Sequence, residues 1–186
     1  MFHKLFLALF ALLAAASALA ADVGGVKLDD KISVGGQDLV LNGAGIRTRF
    51  MLKVYVASLY VPAKAADLPG VLAQSPRRIQ MNLLRNLSAD QLVDALNDGL
   101  KDNNSEAEMA AVKPQADQMT SIMKSFGEVK EGNVVTLDFV EGATKIGFDG
   151  AAKGSIPGEA FNKALAKVWL GDKPVQADLK KALLGG

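Results

Sequence analysis

The chain contains no cysteine, and its only histidine, His3, lies within the first twenty residues. Beyond them it has no thiol nucleophile, no possible disulfide, no imidazole base and no Cys/His zinc site. Those absences exclude most hydrolase and metalloenzyme mechanisms, and nothing in the sequence calls for a metal or a cofactor. Aromatic residues are few, with one tryptophan and two tyrosines. Neither charge sign is in excess, since 21 Lys and Arg stand against 20 Asp and Glu for a net charge of +1. Without Lys4 the remainder is formally neutral. A neutral chain lacks the surplus of phosphate-neutralising side chains that nucleic acid requires, so no nucleic-acid partner is expected.

The first twenty residues read as an export signal. Lys4 and His3 form a short positive start, residues 5–13 are an unbroken apolar run, and Ala18-Leu19-Ala20 is a small-x-small cleavage site. The run is shorter than the roughly 20 residues a membrane span needs. Cleavage before Ala21 would leave one domain, residues 21–186, of a size suited to a single core. No second segment of membrane length follows. A cysteine-free exported domain fits a bacterial periplasm.

The stretch 41–61, LNGAGIRTRFMLKVYVASLYV, carries the most chemistry. It holds both tyrosines, Tyr55 and Tyr60, and sets Arg47 and Arg49 ahead of a run rich in β-branched and aromatic residues, the composition of a half-buried strand. Asn42-Gly43-Ala44-Gly45 gives the backbone freedom for a bulge or for close approach to another element. The same glycines lack the third glycine and following helix of a dinucleotide fingerprint. A cation near a buried tyrosine is the best candidate for holding a small anion.

Elsewhere the patterns are those of alternating strands and amphipathic helices. Residues 31–43 read as two strands around Gly35-Gly36, and 77–85 as a strand with Ile79, Met81 and Leu83 on one face. Residues 88–100 are a helix opened by a capping box of Ser88 and Gln91. After a polar break at 101–105, a second helical segment covers 106–126, split or kinked by Pro114. Its methionines, Met109, Met119 and Met123, read as core filler. Residues 133–140 and 144–148 form a hairpin, 154–156 add a short strand, a helix covers 160–170 with Gly171 as its stop, and a last helix covers 178–184. Strands, then helices, then a hairpin and a terminal helix predict an α+β fold, with helices on one face of a mostly antiparallel sheet.

GAGIR followed by KVYVASLYV resembles the strand pair of the chalcone isomerase fold. SIPGEAFNKALAKVWLGDKPV resembles that family's last helix and its glycine stop. Together they identify the chain as similar to the secreted bacterial chalcone isomerase-like proteins over nearly all of 21–186. The resemblance implies an open-faced β-sandwich, with a ligand cleft between a large sheet and its helices. It also implies two possible activities. Plant enzymes of the family close a chalcone to a flavanone, whereas fatty-acid-binding relatives hold a carboxylate with an arginine and a tyrosine. Arg47 matches the arginine of both groups, and Tyr55 matches the fatty-acid-binding tyrosine where the enzymes carry threonine. The enzymes' second threonine matches Val168, their tyrosine falls at Leu87 or Ser88, and their asparagine falls near Ala95, with Asn97 a substitute. Of the enzyme's polar set, only the arginine is clearly present.

A guanidinium can grip a carboxylate bidentately, and a phenol adds a donor to the same oxygens. Arg47 and Tyr55 lie about 26 Å apart along a straight strand at 3.3 Å per residue, so they meet only if the chain reverses between them. A reversal at Thr48-Arg49 would separate them and bring in Lys53, expected on the same face as Tyr55. Arg85, closing its strand, could also reach the cleft, and Trp169 reads as a core anchor.

Three functions fit these residues. The first is non-catalytic periplasmic binding of a small amphipathic carboxylate such as a fatty acid, through Arg47 and Tyr55 with Lys53 and Arg85 as secondary candidates. The second is an isomerase (intramolecular lyase) of the chalcone isomerase type using Arg47 and Tyr55. The third is a structural or partner-binding module without a ligand. The first accounts best for the residues present.

Overall fold

The structure, a computed structural model, describes residues 21–186, so the expected export signal lies outside the described residues. A small hairpin, β1 (Ala21–Val23) and β2 (Val26–Leu28), precedes β3 (Lys31–Val34), β4 (Gln37–Arg49) and β5 (Leu52–Val61). The short helix α1 (Leu68–Leu72) leads to β6 (Arg77–Leu83) and the two-residue β7 (Leu87–Ser88). Helices α2 (Ala89–Asn103), α3 (Glu106–Ala111) and α4 (Lys113–Lys124) follow. After β8 (Glu128–Val129) come β9 (Val134–Val140), β10 (Ala143–Phe148), β11 (Ala151–Pro157), α5 (Glu159–Leu170) and α6 (Ala177–Leu183). Seven strands form one sheet in the order β11-β10-β9-β6-β5-β4-β3. Every neighbouring pair is antiparallel.

The local signals act where the sequence places them. Ser88 Oγ accepts from the Gln91 N–H at 3.1 Å and the Gln91 side chain accepts from the Ser88 N–H at 3.0 Å, so two otherwise unpaired donors at the start of α2 are satisfied. Pro114 falls in the first turn of α4, where its missing N–H costs nothing, and Val112 divides α3 from α4. The break expected over 101–105 is narrower, because α2 continues to Asn103. Gly171 differs from expectation. It caps α5 with φ −74° and ψ −170°, an extended backbone open to any residue. Its requirement for glycine is spatial, since a Cβ there would lie 2.4 Å from Asn103 Oδ1 and 2.6 Å from the Lys167 carbonyl oxygen.

One sheet face carries the main core. Ala57, Leu59, Ile79, Leu83, Leu137 and Ile146 meet Leu96 and Leu100 of α2, Met119 of α4, Phe161 and Leu165 of α5, and Leu179 and Leu183 of α6. The opposite face is covered less completely. Val34, Leu39, Tyr60 and Val140 form a small cluster there, and Gly24 of the β1–β2 turn lies against Ile46 and Val56. Helices on one face of an antiparallel sheet is the predicted arrangement.

Two irregularities set the phase of the central strands. Leu41 pairs with Tyr60 but Gly43 with Leu59, leaving Asn42 as an extra residue in β4. Its buried side chain accepts from the Ala65 N–H at 2.8 Å and donates to the carbonyls of Ala65 at 2.9 Å and Leu183 at 2.7 Å. A strand alternates faces with a period of two, so one inserted residue moves everything beyond it to the other side. Gly43, Gly45 and Arg47 thereby turn to the helical face. The two glycines let α6 lie directly on β4, where a Cβ at Gly43 would stand 2.0 Å from the Ala182 carbonyl oxygen and one at Gly45 would stand 2.9 Å from Ala182 Cβ. Both uses foreseen for this stretch, a bulge and a close approach, are realised.

Candidate functional site

The chain reverses at Phe50-Met51, beyond Thr48-Arg49, with Arg49 opposite Leu52. Both turn residues have positive φ, 49° and 62°. From this turn Thr48 pairs with Lys53 but Arg47 pairs with Tyr55, so Val54 is a second inserted residue, now in β5. Directly paired residues share a sheet face. Arg47 and Tyr55 therefore stand side by side on the helical face, and Lys53 is driven to the other.

These two residues open onto a cleft of about 930 Å³ between the sheet and helices α2, α4 and α5. The size lies within the range of roughly 300–1,000 Å³ usual for small-molecule sites. Val54, Met81, Leu83, Val135 and Leu137 line its sheet side, and Leu92, Leu96, Met119, Met123, Val168 and Trp169 its helical side. Met119 and Met123 are thus both core and cleft wall. Toward the mouth the lining becomes charged, with Arg49, Arg85, Lys101 and Lys173 beside Asp94, Asp98 and Asp102.

Arg47 is half-buried. One of its terminal nitrogens, Nη1, donates to the Thr48 carbonyl and, at 3.3 Å, to Gln176 Oε1. Gln176 Oε1 also accepts from the Thr48 N–H at 2.8 Å, and its Nε2 donates to the Ile46 carbonyl at 3.4 Å. Gln176 precedes α6, so the seating of that helix on Gly43 and Gly45 also positions the guanidinium. Among the described residues no carboxylate pairs with Arg47. Its charge is held by neutral acceptors and remains available to an anion in the cleft.

Tyr55 is only 8% exposed, and its hydroxyl accepts from the Trp169 indole N–H at 3.1 Å. Burial pushes the phenol above its ordinary pKa, against the opposing pull of the Trp169 hydrogen bond and the nearby Arg47 charge. At neutral pH the group is therefore a neutral donor. Accepting the indole N–H fixes the oxygen and leaves its own proton for an acceptor in the cleft.

Of the four residues singled out from sequence, Arg47, Tyr55 and Arg85 line the cleft, Arg85 as an exposed residue toward the mouth. Lys53 does not. The expectation that it shares a face with Tyr55 counted residues in a regular strand, and the Val54 insertion reverses its side. Two contributors escaped the sequence reading. Trp169 is the core anchor expected of it, but its N–H also orients Tyr55; its place beside Val168 on α5 is the available signal. Gln176 carried no signal, because its role depends on where α6 packs.

The fold agrees with what the chain is similar to. No curated protein sequence matches it significantly. Among solved structures, a fatty-acid binding protein of Arabidopsis thaliana superposes with a TM-score of 0.64, covering 86% of this chain and 92% of that one at 12% identity. At that identity the likeness is one of fold. A family model described as chalcone isomerase-like matches residues 20–185, spanning every strand and helix described above. The chain belongs to the chalcone isomerase-like family.

Proposed function

We propose that the protein binds a small amphipathic carboxylate, with a fatty acid the best fit, and performs no chemistry on it. The observation that carries this reading is Arg47 beside Tyr55 on the sheet side of a cleft whose inner walls are apolar. A carboxylate there receives charge-assisted hydrogen bonds from the guanidinium and one from the phenol, while its alkyl chain lies along Met81, Leu83, Met119 and Leu137. In a site shielded from water each charge-assisted bond contributes about 1.5–3 kcal/mol. The Arabidopsis protein of the same fold is described as fatty-acid binding, which supports the same use of the fold here. Chalcone closure would need several donors aimed at the developing oxyanion. Val168 turns methyl groups toward the cleft at the position where the family resemblance puts an enzyme threonine.

The reading includes action after export to the periplasm, supported by the positive start, apolar run and Ala18-Leu19-Ala20 site of the first twenty residues. Intact mass of protein recovered from fractionated cells tests it, and a chain retaining Met1 in the cytosolic fraction would remove it.

Native mass spectrometry of protein purified from its own cells, followed by extraction, tests the binding. A stoichiometric long-chain carboxylate, lost in Arg47→Ala, is the expected result. Equal occupancy in Arg47→Ala would overturn the assignment of the site. Accelerated closure of an added chalcone, abolished in Arg47→Ala, would replace binding with lyase activity.

A further inference from the structure

The β4–β5 turn presents Phe50, Met51 and Leu52 to solvent at 85%, 99% and 52% exposure. These are the exposed large hydrophobic residues of the described chain, and they are consecutive. Their backbone makes the choice stranger. Two-residue turns with positive φ favour Asn-Gly or Asp-Gly, because side chains bearing Cβ are strained there. Phe50 and Met51 hold φ of 49° and 62°. Here strained positions carry bulky apolar side chains that the folded protein leaves in water. Local strain without a folded-state return points to a function outside the fold.

The surroundings indicate what covers them. Arg49 and Lys53 flank the turn, both exposed, and the Arg49 guanidinium lies 5.4 Å from the centre of the Phe50 ring. No Asp or Glu occurs between Asp38 and Asp67, whereas Arg47, Arg49, Lys53 and Lys64 do. The tip is therefore apolar with cations alone flanking it on β4 and β5, the acids of the cleft mouth, Asp94, Asp98 and Asp102, standing on α2. It complements an anionic lipid surface with its negative headgroups over hydrocarbon. Phe50 and Leu52 also line the cleft, so the apolar tip adjoins it.

We propose that Phe50-Met51-Leu52 inserts into an anionic bilayer and holds the cleft mouth against it. Given the carboxylate-binding reading above, an acyl chain would then pass between bilayer and cleft without crossing water. Docking itself does not depend on that reading.

The test uses protein produced from the full chain, with its N-terminus fixed by intact mass. It is mixed with phosphatidylcholine vesicles, either neutral or containing about a third phosphatidylglycerol. Binding to the anionic vesicles, weakened by salt, is expected. Met51→Asn suits the left-handed backbone and lies outside the cleft lining, so it should leave melting temperature and ligand occupancy unchanged or improved. It should also lower vesicle partitioning by about tenfold or more. Lys53→Gln should lower it about fivefold. A Met51→Trp variant should show blue-shifted emission on anionic vesicles and quenching by brominated acyl chains, while Trp169 in the parent protein does not.

Unchanged partitioning in Met51→Asn, or an unquenched tryptophan at position 51, would overturn the proposal. So would a self-associated species, seen by sedimentation velocity, that Met51→Asn dissolves, because the tip would then meet a second copy. If vesicle binding fails while cleft occupancy persists, docking falls and the carboxylate reading stands. Empty protein that still docks gives the reverse.

Discussion

Arg47 and Tyr55 are paired across β4 and β5 because Val54 is one residue more than a regular ladder would hold. A two-residue turn at Phe50-Met51 without that insertion would set Arg47 opposite Val54 and turn Tyr55 to pair with Ile46. The guanidinium and the phenol would then lie on opposite faces. The bulge, together with the one at Asn42, is what makes a site out of this strand pair.

Replacing Arg47 should separate charge from geometry. Arg47→Ala is expected to weaken binding of a long-chain carboxylate by about 1.5–3 kcal/mol, roughly ten- to a hundredfold in Kd. Arg47→Lys should recover only part of that, since an ammonium cannot make the planar two-point grip. Calorimetric titration with a saturated fatty acid reads both. Equal affinity of the lysine and arginine forms would count against bidentate recognition.

The Tyr55–Trp169 hydrogen bond should appear as coupling in a double-mutant cycle. Trp169→Phe and Tyr55→Phe each remove one partner and are expected to cost about 1–3 kcal/mol in urea unfolding, more where the remaining polar group stays buried. The double variant should cost less than the two together, because neither partner is then left unpaired. Strict additivity would show that the contact contributes nothing to stability.

Gly43→Ala should couple fold to site. The added Cβ would collide with the backbone of Ala182, and backbone cannot step aside as a flexible side chain can. A loss of about 3 kcal/mol or more is expected, at the upper end for overpacking. Because displacing α6 also displaces Gln176, ligand affinity should fall although residue 43 lies outside the cleft lining. A variant of normal stability and affinity would refute the role given to this close approach.

Both tyrosines should resist ionisation. Burial raises the pKa of Tyr55 and of Tyr60 above the ordinary 10.0. A phenol whose folded value is raised stabilises the fold fully below its unfolded value, and that contribution is lost as pH rises through the folded value. Tyrosinate absorbance should therefore be delayed beyond pH 10 and rise together with loss of circular dichroism. Reversible ionisation near the ordinary value, with the dichroism intact, would contradict the burial of these rings.

Local chemistry accounts for what the amino-acid order determined by itself. The Ser88–Gln91 cap, the Pro114 division, the glycine-centred turns and the alternation within 77–85 each act over a few residues, so each of those elements could be located from its own composition. Their order implied helices on one face of an antiparallel sheet. Arg47 and Tyr55 stood out as the cation and phenol of the central stretch, and the absence of cysteine and of histidine after His3 removed the commoner chemistries in advance.

Register and inter-element packing belonged to the tertiary structure. Whether β5 carries one residue more than β4 depends on how two strands settle against each other and against the helices, and no residue type announces it. That single residue moved Lys53 out of the site and brought Tyr55 to Arg47. The same holds for Gly171, whose glycine answers to Asn103 across an inter-helix gap, and for Gln176, which reaches Arg47 only because α6 lies on two bare glycines. Contacts of this kind join residues far apart in the chain, and side-chain periodicity carries no information about them.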